Sequence, residues 1–208
     1  MAVEEQHPQG KAGRLDTDAW VRAAGLQLAN AGIDGVRVEL IAKRLGVTKG
    51  SFYWHFKDRD ALLAAILHDW RSNATMAIID SLEKSGAPAE ARLRRVLELP
   101  LRRTLHDEVG RGIRLWARTD PRAAQAIEEI DGLRRRYIAG LYQQLGCEPQ
   151  IAQAYAALVY GYTRTGTGVP AAIVPDIEAI LIPPTLRLGA ANPEASKPQG
   201  RGRGSVDD

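Results

Sequence analysis

Cysteine is all but missing from this chain of 208 residues; Cys147 stands alone. One thiol excludes an internal disulfide framework and any metal site that needs two cysteines, and it fits a reducing cytosol. No run approaches the roughly eighteen uncharged apolar residues of a membrane span. The opening stretch, MAVEEQHPQGKAG, is polar and partly acidic and does not read as a signal peptide. Nucleophile elbow, P-loop, HExxH and GxGxxG motifs are lacking. His7, His55, His68 and His106 lie scattered, with no evident acid–base partner. Adjacent His106, Asp107 and Glu108 point in different directions on a helix, which argues against a metal site. The expectation is a cytoplasmic protein that is not an enzyme and needs no cofactor. Alternating apolar–polar runs joined by hairpin turns are also lacking, which argues against a sheet.

What is present is ordinary globular composition, 45% hydrophobic and 25% charged. The apolar residues repeat with helical spacing almost throughout. Val21, Ala24, Leu28 and Ala31 form one stripe, with Asp16 or Thr17 able to cap its start and Gly32 to end it. Val38, Ile41, Ala42 and Leu45 form a second, shorter stripe stopped by Gly46. Thr48 caps a third helix of about two turns, and Asp58 caps a fourth whose face is Leu62, Ala65, Ile66, Asp69 and Trp70. Ser85-Gly86-Ala87-Pro88 breaks the pattern. Further helices are expected at roughly 89–105, 108–118, 121–145 and 150–165, and from Pro175 up to Pro183-Pro184. The fold class is therefore all-α, with about nine helices. The expected division is an unstructured arm over 1–13, a small domain over 14–60, a larger helical domain over 61–188 and an unstructured tail over 189–208.

Residues 33–59, IDGVRVELIAKRLGVTKGSFYWHFKDR, carry the strongest signal. Two short helices joined by a tight turn with glycine form the helix-turn-helix pattern. Ala42 is small where two helices cross, Gly46 permits the positive φ of a sharp turn, and Val47 lets the turn pack inward. On the third helix Phe52 and Phe56, four apart, share one face and point inward. Gly50 and Trp54 then fall opposite, flanked by Ser51 and His55 on one side and Tyr53 and Lys57 on the other. Such an outward set does little for stability and suits a surface that meets a DNA groove. Gly50 allows close approach, Lys49, Tyr53, His55 and Lys57 supply donors to phosphate, and Trp54 offers apolar contact. Charge agrees with this reading. From Arg37 to Arg59 six basic residues face two acidic ones, +4 in 23 residues, while the whole chain carries only +3.

The segment GVTKGSFYWHFKDRDALL, with IAKRLGV upstream, strongly resembles the recognition region of TetR-type transcriptional regulators. The resemblance covers about residues 14–70. A weaker similarity of layout reaches GIRLWARTDPRA. It implies phosphate contacts from Thr48, Tyr53, His55 and Arg59, and groove contacts from Lys49, Gly50, Ser51 and Trp54. The family usually places Ser or Thr at the cap of the second helix, where this chain has Arg37. Arginine cannot cap but can reach a phosphate, so Arg37 joins the expected DNA-binding set with Lys57.

Proteins of this kind read near-palindromes as homodimers, with recognition helices about 34–36 Å apart. The dimer face is expected on Ala154, Ala157, Leu158 and Gly161, and on Ile177, Ile180 and Leu181. Small residues there permit close helix packing. Aromatic and polar residues that can line an effector cavity are Trp70, His106, Trp116, Tyr137, Tyr142, Tyr155 and Tyr162. The expected partners are double-stranded DNA, a second copy of the chain and an unidentified small-molecule effector, with no membrane. The expected function is a sequence-specific regulator, a repressor released by its effector. The alternatives are a non-specific architectural DNA binder, or an enzyme or ligand carrier on a helical scaffold.

Overall fold

The computed structural model describes residues 16–101, 104–165 and 169–182, so the expected arm, the tail and Pro183-Pro184 lie outside the described residues. Those residues are helical, with no strand among them. Ten α-helical segments follow in order: α1 Thr17–Gly35, α2 Val38–Leu45, α3 Lys49–Phe52, α4 Arg59–Arg71, α5 Ala77–Lys84, α6 Ala89–Glu98, α7 Leu105–Trp116, α8 Pro121–Gln144, α9 Pro149–Thr165 and α10 Val174–Leu181. A π turn over Ser72–Met76 joins α4 to α5 with helical backbone angles at both joints. The two run as one rod, which brings the described count to the nine expected.

The starts and stops follow from local chemistry. Asp16 accepts from the Ala19 amide at 2.8 Å and Asp58 from the Ala61 amide at 2.8 Å, each capping the helix that follows. Gly32 takes φ +69° and kinks α1 near its end, and Gly46, at φ +68°, closes α2. The boundaries near residue 100 differ from the sequence reading. Pro100 ends the stretch that was to run to residue 105, and a 3₁₀ turn over Leu99–Leu101 follows α6. Helix α7 starts at Leu105 rather than 108, because Thr104 and Asp107 form a reciprocal capping box. Asp107 is thereby spent on structure.

The chain forms two compact units. The first takes residues up to 81 together with 103–131, and the second takes 82–102 together with residues from 132 onward. This differs from a boundary after residue 60. Helix α4 turns Leu62, Leu63, Ile66, Leu67 and Trp70 into the same core as Trp20, Leu28, Phe52, Val109, Ile113 and Trp116. A helix with its whole apolar face in that core cannot separate from it without exposing the face to water. Helices α1 and α7 pack unusually close. A Cβ on Gly112 would lie 2.8 Å from the Leu28 carbonyl oxygen, and one on Gly25 would lie 3.2 Å from Val109. In the second unit α6, the later part of α8, α9 and α10 bury Leu93, Val96, Ile138, Tyr142, Ala156, Val159 and Leu181.

Candidate nucleic-acid interface

The turn between α2 and α3 is built as a helix-turn-helix requires. The Gly46 amide returns to the Ala42 and Lys43 carbonyls, and the Val47 amide bonds the Ala42 carbonyl at 3.0 Å. Thr48 is extended and its hydroxyl accepts from the Ser51 amide at 3.3 Å, which starts α3. Regular α-helix covers only Lys49–Phe52, yet the Phe56 amide still reaches the Phe52 carbonyl at 3.0 Å. The helical phase therefore holds as far as Phe56.

Three rings fix which way the segment faces. Phe52 stacks on Phe56 at 5.5 Å and meets Trp20 of α1 edge-on at 5.3 Å. Both phenylalanines are buried. The opposite side is left open: Trp54 is 85% exposed and Tyr53 58%. Lys49, Gly50 and Lys57 are exposed with them, and Ser51 and His55 are half-buried. A Cβ on Gly50 would meet nothing nearer than the Thr48 hydroxyl at 3.6 Å. The fold itself has room for a side chain at Gly50, so the glycine's effect is to keep the outer surface flat. The His55 ring lies 3.4 Å from the Thr17 hydroxyl, tying the outer face to the start of α1. Arg37 sits at the start of α2 with extended backbone, makes no side-chain cap bond and is exposed, as expected of it.

Arg59 has a structural role that the sequence did not show. Its Nε donates to the Val36 carbonyl and a terminal nitrogen to the Ile33 carbonyl, both at 2.7 Å. The guanidinium sits at the end of α1, where the Ile33 carbonyl also accepts from the Val36 amide, a favourable place for a cation. These two bonds serve the joint between α1 and α4, while the residue stays exposed. Sequence reasoning also missed Glu39. Its carboxylate accepts from Lys49 Nζ at 2.6 Å, across α2 and α3. That hydrogen bond pulls the Glu39 carboxyl below its ordinary range and pushes the Lys49 ammonium above its own. The partners are ten residues apart on different helices, so no helical period links them.

The expected effector residues divide between the units. In the first, Trp70 and Trp116 are buried core residues. Trp70 packs against Gly110, where a Cβ would come within 2.9 Å of its indole nitrogen. Both tryptophans pack within the core of the first unit. His106 lies 3.9 Å from Asp69. In the second unit Tyr142 is fully buried, stacks on Tyr155 at 4.8 Å and donates to the Leu181 carbonyl at 2.6 Å. Burial pushes the Tyr142 phenol well up, with Tyr155 adding to it. Tyr137 is raised to about 12, first by burial and then by Glu83 beside it. Tyr162 is raised by burial. Arg92, itself buried, pairs with Glu83 and donates to Gln144, so Tyr137 borders a polar cluster.

Of the expected dimer residues, Ala154, Ala157, Leu158 and Gly161 all lie on the exposed side of α9. Leu158 is 61% exposed and Ile180 69%, and Ile177 is half-buried. Leu181 is a correction. It is buried in its own unit, whereas its neighbour Ile180 is exposed. Ile151, also exposed, extends the α9 stripe by one turn.

Comparisons with known proteins converge on the same segment. Residues 21–66 match the family model of the bacterial regulatory proteins of the tetR family. The tetracycline repressor of class A from transposon 1721 in Escherichia coli is 40% identical over 53 residues, 26% of this chain and 24% of the repressor. The class C repressor from Escherichia coli matches to the same extent, 40% over 53 residues. The chain thus matches about a quarter of the length of these curated relatives. Similarity of fold extends further. A Rhodococcus sp. protein described as a TetR-family transcriptional regulator shares 25% identity, covers 84% of this chain and 98% of its own, and superposes with a TM-score of 0.60. A transcriptional regulator from Saccharomonospora viridis, solved in complex with choline, is alike in fold at 22% identity, with 80% and 93% of the chains covered and a TM-score of 0.61.

Proposed function

From the premise that residues 21–66 form a TetR-type domain, we propose that the chain is a sequence-specific DNA-binding transcriptional regulator. One observation carries this reading. Within a single segment Phe52 and Phe56 are buried while Trp54 and Tyr53 stand in solvent. A tryptophan left bare at 85% contributes nothing to the core, and it stands amid Lys49, Gly50 and Lys57. Shape and charge both suit a major groove. In this reading Thr48, Tyr53, His55, Lys57 and Arg37 hold phosphates and set the register. Lys49, Gly50, Ser51 and Trp54 meet base edges.

The regulator acts as a homodimer on a near-palindrome, because a single short recognition helix reads too few base pairs to stand out in a genome. The exposed apolar stripe Ile151, Ala154, Ala157, Leu158 and Gly161, with Ile180, is the face we assign to the second copy. A small molecule taken up by the helical part after residue 60 releases the DNA, which makes the protein a repressor. The polar tyrosines Tyr137, Tyr155 and Tyr162 are the groups we assign to it. A coupling of about 1–3 kcal/mol between the two sites changes operator affinity by roughly 5–150-fold.

Selection from random duplexes with the full-length protein tests this function. A regulator enriches an inverted repeat and binds it about 10³-fold or more above bulk DNA. Equal affinity for every duplex, with a steep salt dependence, refutes it in favour of an architectural DNA binder.

A further inference from the structure

One exposed pair stands out on the basic surface around α3. Glu39 is one of only two acidic residues between Arg37 and Arg59, and its charged neighbours are Lys49 and Arg37, so a phosphate backbone there would meet like charge. Its carboxylate accepts from Lys49 Nζ at 2.6 Å, and each side chain keeps about half its surface in water, 54% and 53%. The fold has no use for the pair. Helix α2 packs through Val38, Ile41 and Ala42, and an ion pair this open adds little to stability. What the geometry provides is an ammonium and a carboxylate held side by side, one on each helix of the helix-turn-helix.

That arrangement complements one base pair better than the others. The major-groove edge of a G·C pair shows two acceptors, guanine N7 and O6, next to one donor, cytosine N4. A lysine beside a glutamate presents donors and acceptors in the matching order. On an A·T pair the only donor, adenine N6, lies between two acceptors, so a carboxylate reaching it also faces thymine O4. A phosphate satisfies Lys49 alone and leaves Glu39 against a like charge.

We propose that Glu39 and Lys49 act together as a reader of one G·C pair in each half-site. Lys49 donates to guanine O6 and N7, and Glu39 accepts from cytosine N4. This inference rests on the role of α3 proposed above and adds a specificity residue on α2.

The test is selection from random duplexes with four full-length proteins: the unaltered chain, Glu39→Ala, Lys49→Met and the double variant. Both substitutions are at exposed positions, and unchanged melting temperatures establish that the variants fold. The unaltered chain is expected to enrich a G·C pair at one position, repeated by symmetry in the other half-site. Glu39→Ala is expected to lose about tenfold of that preference there and to keep its preferences elsewhere. Lys49→Met loses the same position, and the double variant loses no more than either single one. A Glu39→Ala profile identical to that of the unaltered chain overturns the reader while leaving the DNA-binding role of α3 intact. A uniform gain in affinity for all duplexes, the result of merely removing a negative charge, overturns it too. Failure of the unaltered chain to enrich any site overturns the proposed function and the reader with it.

Discussion

Trp20 of α1 and Phe52 of α3 meet edge to face, with ring centroids 5.3 Å apart and planes at 68°. Both are fully buried. The contact anchors the α3 segment to the first helix and thereby decides which of its side chains remain outside. Phe52→Ala is expected to cost about 3–5 kcal/mol of folding stability. Trp54→Ala, two residues away, is expected to stay within about 0.5 kcal/mol. Urea unfolding of the two variants checks this, and equal losses would contradict the inward orientation of Phe52.

Arg59 makes a different kind of contribution. Two hydrogen bonds to the carbonyls of Ile33 and Val36 tie the end of α1 to the start of α4. Bonds with a charged donor contribute about 1.5–3 kcal/mol each. Arg59 is exposed, and solvent screening brings the expected loss in Arg59→Ala to about 2 kcal/mol for both together. A phosphate contact has a separate signature, since removing one lowers the salt slope of DNA binding by about one. Below its melting temperature Arg59→Ala is expected to keep the slope of the unaltered protein. A slope reduced by one gives Arg59 a phosphate contact beside its structural role.

Two glycines in helices should respond to alanine with opposite sign. A Cβ on Gly112 would press on the Leu28 backbone at 2.8 Å, whereas one on Gly140 would meet nothing within 4 Å. Gly112→Ala is therefore expected to lose about 1–3 kcal/mol by overpacking. Gly140→Ala is expected to gain up to about 1 kcal/mol from helix propensity. Thermal melts of the pair show whether the melting temperature falls in one and rises in the other.

The exposed face of α9 and α10 separates association from folding. Leu158→Asp and Ile180→Asp place charge on open surface and are expected to give folded monomers in analytical ultracentrifugation. Leu181→Ala, in the core, is expected to lose about 2–5 kcal/mol without changing the association of the remaining folded protein. A dimer that persists in both aspartate variants places the second copy elsewhere.

On the proposed recognition face, contacts that position and contacts that specify should part company. Tyr53→Phe is expected to weaken all duplexes alike, because a phosphate contact carries no sequence information. Trp54→Ala is expected to narrow the gap between the preferred site and bulk DNA. Selection and titration at fixed salt distinguish the two, and a preference unchanged in Trp54→Ala removes that ring from the groove.

Much of this was legible from the chain itself, because caps, helical periods and positive-φ glycines act within a few residues. Asp16, Gly46, Thr48 and Asp58 mark their helix ends, Gly32 marks the kink in α1, and Phe52 and Phe56 fall inside on spacing alone. The resemblance around GVTKGSFYWHF agreed with that projection. Local rules also left errors at the break after Pro100, where a capping box starts α7 three residues early. What the chain could not disclose is which partners meet across a distance. Helical spacing says that Leu181 lies on an apolar stripe, but not whether that stripe meets its own core or another molecule. It marks Arg59 as a cation, but not that the end of α1 lies within its reach. The pairing of Glu39 with Lys49 and of Trp70 with Gly110 depends on how helices cross. Side-chain period is a property of one helix, whereas a crossing is settled only when several helices bury their apolar faces together.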